Sequence, residues 1–560
     1  MTWRYRLIFL ILTLFFSVII GRLFYWQVVK AQELTTLGKL QYGRLVKLFA
    51  QRGEIRTSDG FPIVTNKISY LVFANPKEIK DKKLITDVLS PILKVDTASI
   101  SANLSLDKFW VPLSAGIDSQ TKDKIDKLNL PGIGFEQQYS RFYPEASMAA
   151  HLIGIVGKDE SGDSKGYFGL EGYYDRLLKG KDGEAVQIHD ALGKPILASL
   201  SKDTNQIDGS SLILSIQRPI QFLVERVLKD SVEKYGATSG MVGIMDPKTG
   251  EILAMASYPN FDPRNFADYS EKLYKNPFIS DTYEPGSTFK PLVMSSALDA
   301  KLVTPQTKCP ICAGPVTVSG YDLHTWDNKY YKDTTMTEVI QHSDNTGMIY
   351  VAQKLGVDNL INYLTKFGIA STTGIDLQGE VTPSLKPRNQ WYAVDLATMG
   401  FGQGVSVTPV EILAAISSIA NDGKRMEPHI VSAIENPDGT VVKIPPKVVA
   451  SPIKPESARV MTEMMVNAVN KGEASWTKLD GYRVAGKTGT ASIPVNGHYD
   501  TTKTITSFIG FAPADNPKFS MIVILNKPTT SIYGAETAAP IFFEIAKNIL
   551  SYYGIPPNGQ

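Results

Sequence analysis

"YEPGSTFKPL", residues 283–292, sets a serine and a lysine three apart, between a Pro-Gly pair and an apolar run. At that spacing Ser287 and Lys290 would share one face of a helix. Pro291 would fall in the first turn, where its missing N–H costs little. A serine hydroxyl becomes a nucleophile at neutral pH only beside a base. Lysine can be that base only where burial or a second cation pulls its pKa down from ~10.4. Gly286 lets a ligand approach the backbone, and the helix start offers partial positive charge to an oxyanion. The spacing alone decides nothing, because it recurs at Ser105–Lys108, Ser231–Lys234 and Ser475–Lys478. A serine N-cap beside a solvated lysine is the competing reading of every such pair. Ser287 differs from these others in having Pro-Gly before it and a long apolar helix after it.

Two more segments support the reactive reading. "HSDNTGMIY" carries Ser343, Asp344 and Asn345 in a polar break between helical runs, and "VAGKTGTAS" carries Lys487, Thr488, Gly489 and Thr490 on an expected edge strand. The gaps are 53 residues from Lys290 to Ser343 and 142 from Asn345 to Lys487. Serine β-lactamases and penicillin-binding proteins share this ordered trio. Acyl transfer to and from a peptide carbonyl accounts for each residue type. Ser287 attacks and Lys290 takes its proton. Ser343 relays a proton to the leaving amine, and Asn345 hydrogen-bonds a substrate amide. Lys487 is a second cation that favours a neutral Lys290 and attracts a substrate carboxylate, to which Thr488 and Thr490 offer hydroxyls. The backbone N–H groups of Ser287 and Thr490 are the expected oxyanion hole. Gly489 lets substrate lie along the strand as an added strand.

Composition narrows the class. The 560 residues are 43% apolar and 20% charged, which is globular composition. Fifty-eight basic and 56 acidic side chains leave a formal charge of +2, with no basic stripe interleaved with aromatics, so nucleic-acid binding is excluded. Arg4 and Arg6 precede an apolar segment over 7–29 that is broken only by Arg22 and spans 23 residues. About 20 suffice to cross hydrocarbon. Arg22 can snorkel, and Tyr25 and Trp26 suit the outer interface. No Ala-x-Ala-like cleavage site follows, so the expectation is a single-pass anchor, with a cleavable signal peptide as the alternative. Residues 1–6 would lie inside and the remainder outside.

Cys309 and Cys312, in "CPIC", are the only cysteines. A local disulfide or free thiols come first. A zinc site with His324, and with Asp327 or His342, is the alternative; redox catalysis ranks last, for want of a βαβ context. The six histidines (151, 189, 324, 342, 429, 498) show no His-Glu-x-x-His spacing. His342 adjoins Ser343 and can shape its loop. "GDSKG", residues 162–166, matches a nucleophile elbow but sits in a charged loop without strand-turn-helix context.

Along the chain, residues 31 to about 200 alternate short strand-like runs, such as "SYLVFANP" and "AVQIHDALG", with polar loops. From about 209, "SLILSIQ" precedes a helical stretch, "RPIQFLVERVLKDSVEKYG", and "SGMVGIMDPKTGEILAMAS" reads as a hairpin. "YRVAGKTGTASI", "TSFIGFAPA" and "FSMIVILN" give three later strands, and "APIFFEIAKNILSYYG" a closing helix. The expectation is one sheet built from both ends of the domain, with "FKPLVMSSALDA", "TTMTEVIQ" and "TPVEILAAISSIAND" as helices inserted between.

At these motifs the chain resembles the class B penicillin-binding proteins, the monofunctional peptidoglycan transpeptidases. The likeness extends to "GRLFYWQV", "RGEIRTSDGFPIV", "RFYPEASMAAHLIGIVG", "GLEGYYDRLLKGKDG", "ASYPNFDPRNF" and "GFGQGVSVTP". It implies an α/β fold: a penicillin-binding/serine β-lactamase-like transpeptidase domain, an antiparallel sheet with an inserted helical part, plus an elongated mixed N-terminal pedestal domain and one transmembrane helix. The expected division is a cytoplasmic tail 1–6, anchor 7–29, non-catalytic pedestal of dimerisation type 30–205, and transpeptidase domain 206–555. The resemblance further implies D,D-transpeptidation between stem peptides ending in D-Ala-D-Ala, β-lactam acylation of Ser287 and no cofactor. A polytopic glycan polymerase of the shape, elongation and division family is the implied partner, at the bacterial cytoplasmic membrane. Alternatives are a β-lactamase, a β-lactam sensor, an inactive wall-synthesis scaffold and a D,D-carboxypeptidase. The departures are Gln217, where the family usually has Asp, and the Cys-x-x-Cys insertion.

Overall fold

Apolar side chains from Leu7 onward and good helix formers give helix α1, Thr2–Phe24, which continues through a π-helical turn, Tyr25–Val29. In this computed structural model, which describes residues 2–34, 37, 43–160, 162–188, 206–495 and 498–557, α1 buries none of its side chains. Thr2–Val29 is long and apolar enough to cross a membrane. The Arg22 guanidinium lies over the rings of Tyr25 and Trp26, at 5.6 and 5.0 Å, the aromatic cover a cation needs near an interface.

By packing, the chain forms two units: Met1–Arg52, Ile68–Tyr139 and Lys179–Gly209 in one, and Gly53–Lys67, Ser140–Leu178 and Ser210–Gln560 in the other. In the first, Tyr70 to Ala74 pair antiparallel with strand Val111–Ile117. Helices Lys82–Leu93, Thr97–Ser105 and Ser119–Asp126 lie beside them, around Leu89, Ile100, Leu104 and Val111. Each helix starts at an aspartate. Asp81, Asp96 and Asp118 accept from the backbone N–H three residues on, at 2.9, 2.8 and 2.8 Å, satisfying an otherwise orphaned donor. The sequence pattern suggested only strands and loops here. Lys82–Leu93 does carry an apolar stripe, with Ile85, Leu89 and Leu93 buried four apart, which that reading overlooked; the 9- and 8-residue helices carry too few apolar turns to show one. Gly43–Leu48 pairs antiparallel with Gly183–Ile188, which contains the described part, 185–188, of "AVQIHDALG". Its end at 189–193, and the expected boundary at 205, lie outside the described residues.

The second unit is organised by a five-stranded antiparallel sheet. Its elements are helix α2 (Arg218–Tyr235), the hairpin β1 (Ser239–Met245) and β2 (Ile252–Tyr258), then far downstream β3 (Ala485–Val495), β4 (His498–Ala512), β5 (Phe519–Asn526) and helix α3 (Ala538–Tyr552). The spatial order β2-β1-β5-β4-β3 joins both ends of the domain and leaves β3 at an edge. Both faces are covered, so the central strands are apolar on both sides. Val242, Phe508, Met521 and Val523 face the layer of α2 and α3, with Val224, Phe542 and Phe543. Met241, Ile509, Ile522 and Ile524 face the inserted helical part. Gln217 precedes α2 as its cap but makes no side-chain cap bond; its N–H donates to Leu253 O at 2.9 Å. "SLILSIQ" yields a strand only over Ser211–Leu214, which pairs with Val431–Glu435 and not with this sheet.

Phe508 is 1% exposed and meets Phe542 and Phe543 at ring-centroid distances of 4.6 and 5.3 Å. Phe508→Ala is expected to cost about 3–5 kcal/mol, measured as a lower urea midpoint with unchanged helix content below the transition.

Candidate active site

The sequence around Ser287 forms a 3-10 turn, Gly286–Phe289, that runs directly into helix Lys290–Asp299 with Pro291 in its first turn. Residues three apart eclipse in a 3-10 turn, so Ser287 and Lys290 emerge on the same side. Helix Met336–Gln341 and helix Asn345–Phe367 bracket Ser343 and Asp344. Asp344 caps the second helix, accepting from the N–H groups of Thr346 and Gly347 at 2.8 and 3.2 Å. Ser343 sits at φ 56°, left-handed backbone for a residue with a Cβ. Such strain persists where the surroundings over-determine it, as they do at functional sites. Lys487, Thr488, Gly489 and Thr490 lie on the edge strand β3.

These segments meet. Ser343 Oγ is 2.9 Å from Ser287 Oγ and 3.2 Å from Lys290 Nζ. Lys290 Nζ also donates to Ser343 O at 2.5 Å and Asn345 Oδ1 at 2.8 Å. Asn345 is held from its other end, Nδ2 donating to His324 O at 2.9 Å. The sequence reading had Lys290 act on Ser287 directly; the hydrogen bond that Ser287 Oγ makes among the described residues is with Ser343, which bridges to the amine. Lys290 is fully buried and Lys487 3% exposed. Burial pushes the Lys290 amine well below the ordinary lysine pKa, and the charge of Lys487 pushes the same way, against Asp344 and Glu473. Burial also lowers Lys487, opposed by Glu473.

The edge strand closes the other side. Lys487 Nζ donates to Thr488 Oγ1 at 2.9 Å, and Thr488 Oγ1 donates to Glu473 Oε2 at 2.7 Å. Thr490 Oγ1 accepts from the Gly534 N–H at 3.0 Å. A Cβ on Gly489 would lie 2.3 Å from Ser507 Oγ and 2.8 Å from Thr288 Cγ2. The missing side chain therefore also lets the Ser287 turn pack on the strand. Gly402 does the same from "GFGQG": at φ +82° its added Cβ would be 2.1 Å from Gly286 O. A cavity of about 820 Å³ opens over Ser287, Ser343, Asn345, Thr488 and Thr490.

Sequence reasoning missed Glu473, Gly534, Trp326 and Tyr533. All but Gly534 line the cavity, and the rings of Trp326 and Tyr533 meet edge to face at 5.5 Å. Nothing in their local sequence marks them, since each arrives by tertiary packing. His342 stacks on Tyr331 at 4.6 Å beside the Ser343 loop. The zinc alternative is corrected: Cys309 and Cys312 are disulfide-bonded to each other, which removes both thiolates from a metal, and the His324 ring lies against Tyr330 Oη at 2.9 Å. Ser164 of "GDSKG" opens the strand Ser164–Tyr167, paired with Ile155–Lys158, and so does not stand at the turn into the next helix, Gly169–Tyr173, as an elbow serine would.

Residues 240–549 match the family described as the penicillin binding protein transpeptidase domain, and residues 47–214 the penicillin-binding protein dimerisation domain. Stage V sporulation protein D of Bacillus subtilis (strain 168) is 34% identical over 567 residues, covering 99% of this chain and 87% of that protein. Peptidoglycan D,D-transpeptidase FtsI of Escherichia coli (strain K12) is 30% identical over 568 residues, covering 100% and 93%. Among solved structures, penicillin binding protein 3 of Mycobacterium tuberculosis complexed with aztreonam superposes with TM-score 0.71 at 26% identity, covering 92% of this chain and 98% of that one.

The Gly402 contact is open to test. Gly402→Ala adds a left-handed Cβ penalty of about 1–2 kcal/mol to a clash with backbone. A fall in thermal midpoint of at least about 2–4 °C is expected, while Gly314→Ala, with nothing within 4 Å of the added Cβ, leaves the midpoint unchanged.

Proposed function

The chain belongs to the class B penicillin-binding proteins and is a serine-type peptidoglycan D,D-transpeptidase; from that premise we propose how its residues perform the reaction. The observation that carries the proposal is the line from Ser287 Oγ through Ser343 Oγ to the buried Lys290 Nζ. Hydroxyl hydrogens rotate, so the line can run from Ser287 toward the amine. Ser287 Oγ attacks the carbonyl carbon of the penultimate D-Ala. Its proton passes to Ser343, whose own proton passes to the lone pair of neutral Lys290. The N–H groups of Ser287 and Thr490 hold the oxyanion. Collapse breaks the peptide C–N bond, and the proton returns by the same route to the departing amine of the terminal D-Ala. An amine of a neighbouring stem then attacks the acyl-Ser287 ester, forming the cross-link and restoring the serine. A β-lactam enters the same first step and leaves Ser287 acylated.

Asn345, fixed between Lys290 and His324 O, is positioned to bond a substrate amide. Lys487 attracts the terminal carboxylate, which Thr488 and Thr490 receive, and Gly489 keeps the strand edge open to the donor peptide. The same reading takes 1–6 as a cytoplasmic tail, 7–29 as the anchor in the bacterial cytoplasmic membrane, 30–205 as the pedestal and 206–555 as the extracytoplasmic transpeptidase domain. Arg4 and Arg6 before the apolar run, with Tyr25 and Trp26 after it, support that orientation. The anchor and pedestal would engage a polytopic glycan polymerase of the shape, elongation and division family.

Fluorescent penicillin is expected to label the protein and not Ser287→Ala, and to label Lys290→Ala at least ~100-fold more slowly. Labelling of Ser287→Ala would remove that serine from the mechanism.

The pH profile supplies a separate check. Protonation occupies the Lys290 lone pair, so acylation should fall as pH drops through its lowered pKa. Lys487→Ala removes a cation that holds that pKa down, so the acid limb should move to higher pH. A limb that stays put, or moves down, would assign it to another group.

A further inference from the structure

Lys487 is 3% exposed on the edge strand, and among the described residues its ammonium touches no carboxylate. Its Nζ donates to two atoms of one neighbour, Thr488 O at 3.2 Å and Thr488 Oγ1 at 2.9 Å. Neither atom is charged, and an ammonium enclosed in this way tends to shed its proton. The missing anion stands one hydroxyl away. Glu473, two residues past helix Pro455–Lys471, accepts the Thr488 hydrogen on Oε2 at 2.7 Å. A hydroxyl has one hydrogen to give. With it turned to Glu473, the Thr488 oxygen presents a lone pair to Lys487, and each bond of the chain polarises the next. The Ser287 turn, helix Pro455–Lys471 and β4 pack on β3. The first leads into Lys290, the second ends on Lys471, and β4 sets the uncharged Ile509 opposite Lys487. Asp344 stands on the far side of Lys290. Glu473 is the group whose charge opposes the effect of burial on Lys487.

We propose that Glu473 is a positioning residue: acting through the Thr488 hydroxyl, it keeps Lys487 an ammonium, in place to receive the terminal carboxylate of the donor peptide. The inference rests on the assignment of Lys487 to that carboxylate. Glu473 takes no part in bond making. The donor's carboxylate meets the Lys487 charge directly, and meets that of Glu473 only from beyond Thr488. Coulomb energy falls with distance, so the nearer cation decides the sign of the interaction. A Lys487 without its proton would offer the donor no charge at all.

The test is the pH dependence of acylation of the full chain by benzylpenicillin and by its methyl ester, each second-order constant measured by competition with a fluorescent penicillin. Ser287 and Lys290 serve both compounds alike, so the ratio of acid to ester isolates what the carboxylate contributes. That ratio should exceed one and fall as rising pH takes the charge from Lys487. Glu473→Gln keeps an acceptor for Thr488 and removes the charge, so its ratio should fall at lower pH. At the pH where the parent has lost half of its plateau, the variant's ratio, scaled to its own plateau, is expected to be about 3-fold lower or more. Glu473 also opposes the lowering of Lys290, so the acid limb of the ester profile should move to lower pH, opposite to Lys487→Ala. Glu473→Asp retains the charge and should stay nearer the parent on both limbs. A misfolded fraction scales both constants and moves neither limb. A ratio that falls no sooner in Glu473→Gln than in the parent overturns the role of Glu473 and leaves the subsite standing. A ratio near one at every pH in the parent overturns the assignment of Lys487 to the carboxylate, and this inference with it.

Discussion

An ammonium group with no access to water governs this site. Lys290 is fully buried, and its nitrogen is met by Ser343 O, Ser343 Oγ and Asn345 Oδ1, none of them a carboxylate. A charged amine there would lack both solvent and a direct counter-ion, a costly combination. Neutrality relieves the cost, and a neutral amine has the lone pair a base requires. The buried Lys487 pushes the same balance further. The environment that disfavours charge is therefore the one that leaves a lone pair free to accept a proton.

The fold serves this arrangement by bringing three distant segments to one place. An edge strand supplies Lys487 with a free side along which an extended peptide can lie. A strand flanked on both sides could not do so. The Ser287 turn packs on that strand because Gly489 has no side chain, and on Gly402 for the same reason. The Ser343 loop is fixed by the Asp344 cap below it and by the Trp326 indole, whose Nε1 donates to His342 O at 3.3 Å. Each contact limits a rotation that would otherwise separate Ser343 from both of its partners.

How much of this is legible in the sequence depends on the range of the signal. The candidates Ser287, Lys290, Ser343, Asn345 and Lys487 could be picked out because the proposed acyl transfer needs those residue types at short fixed spacings on a helix start, a loop and a strand. The sheet is legible because its strands are apolar on both faces and helices bound it. The bridging position of Ser343 is not, since a spacing in the chain carries no information about which hydroxyl stands between two others. Glu473 follows helix Pro455–Lys471 by two residues in an unremarkable "KGEAS", and only the packing of that helix brings it to Thr488. The aspartate-capped helices between 82 and 126 escaped for a local reason. Their caps were visible, and in Lys82–Leu93 so was an apolar stripe at Ile85, Leu89 and Leu93; the two shorter helices bury only one or two apolar side chains each and leave no period to go with the cap.

The charges of the site form one coupled set. Burial and the charge of Lys487 disfavour a charged Lys290, against Asp344 and Glu473, and Glu473 also opposes the effect of burial on Lys487. Asp344 is committed to capping a helix and cannot leave without exposing two backbone donors. Glu473 has no such obligation; it borders the cavity and holds a single side-chain hydroxyl. It is therefore the acid whose bond can be exchanged when an anion enters. The buried cation and the acid at the cavity wall are thus joined through one threonine.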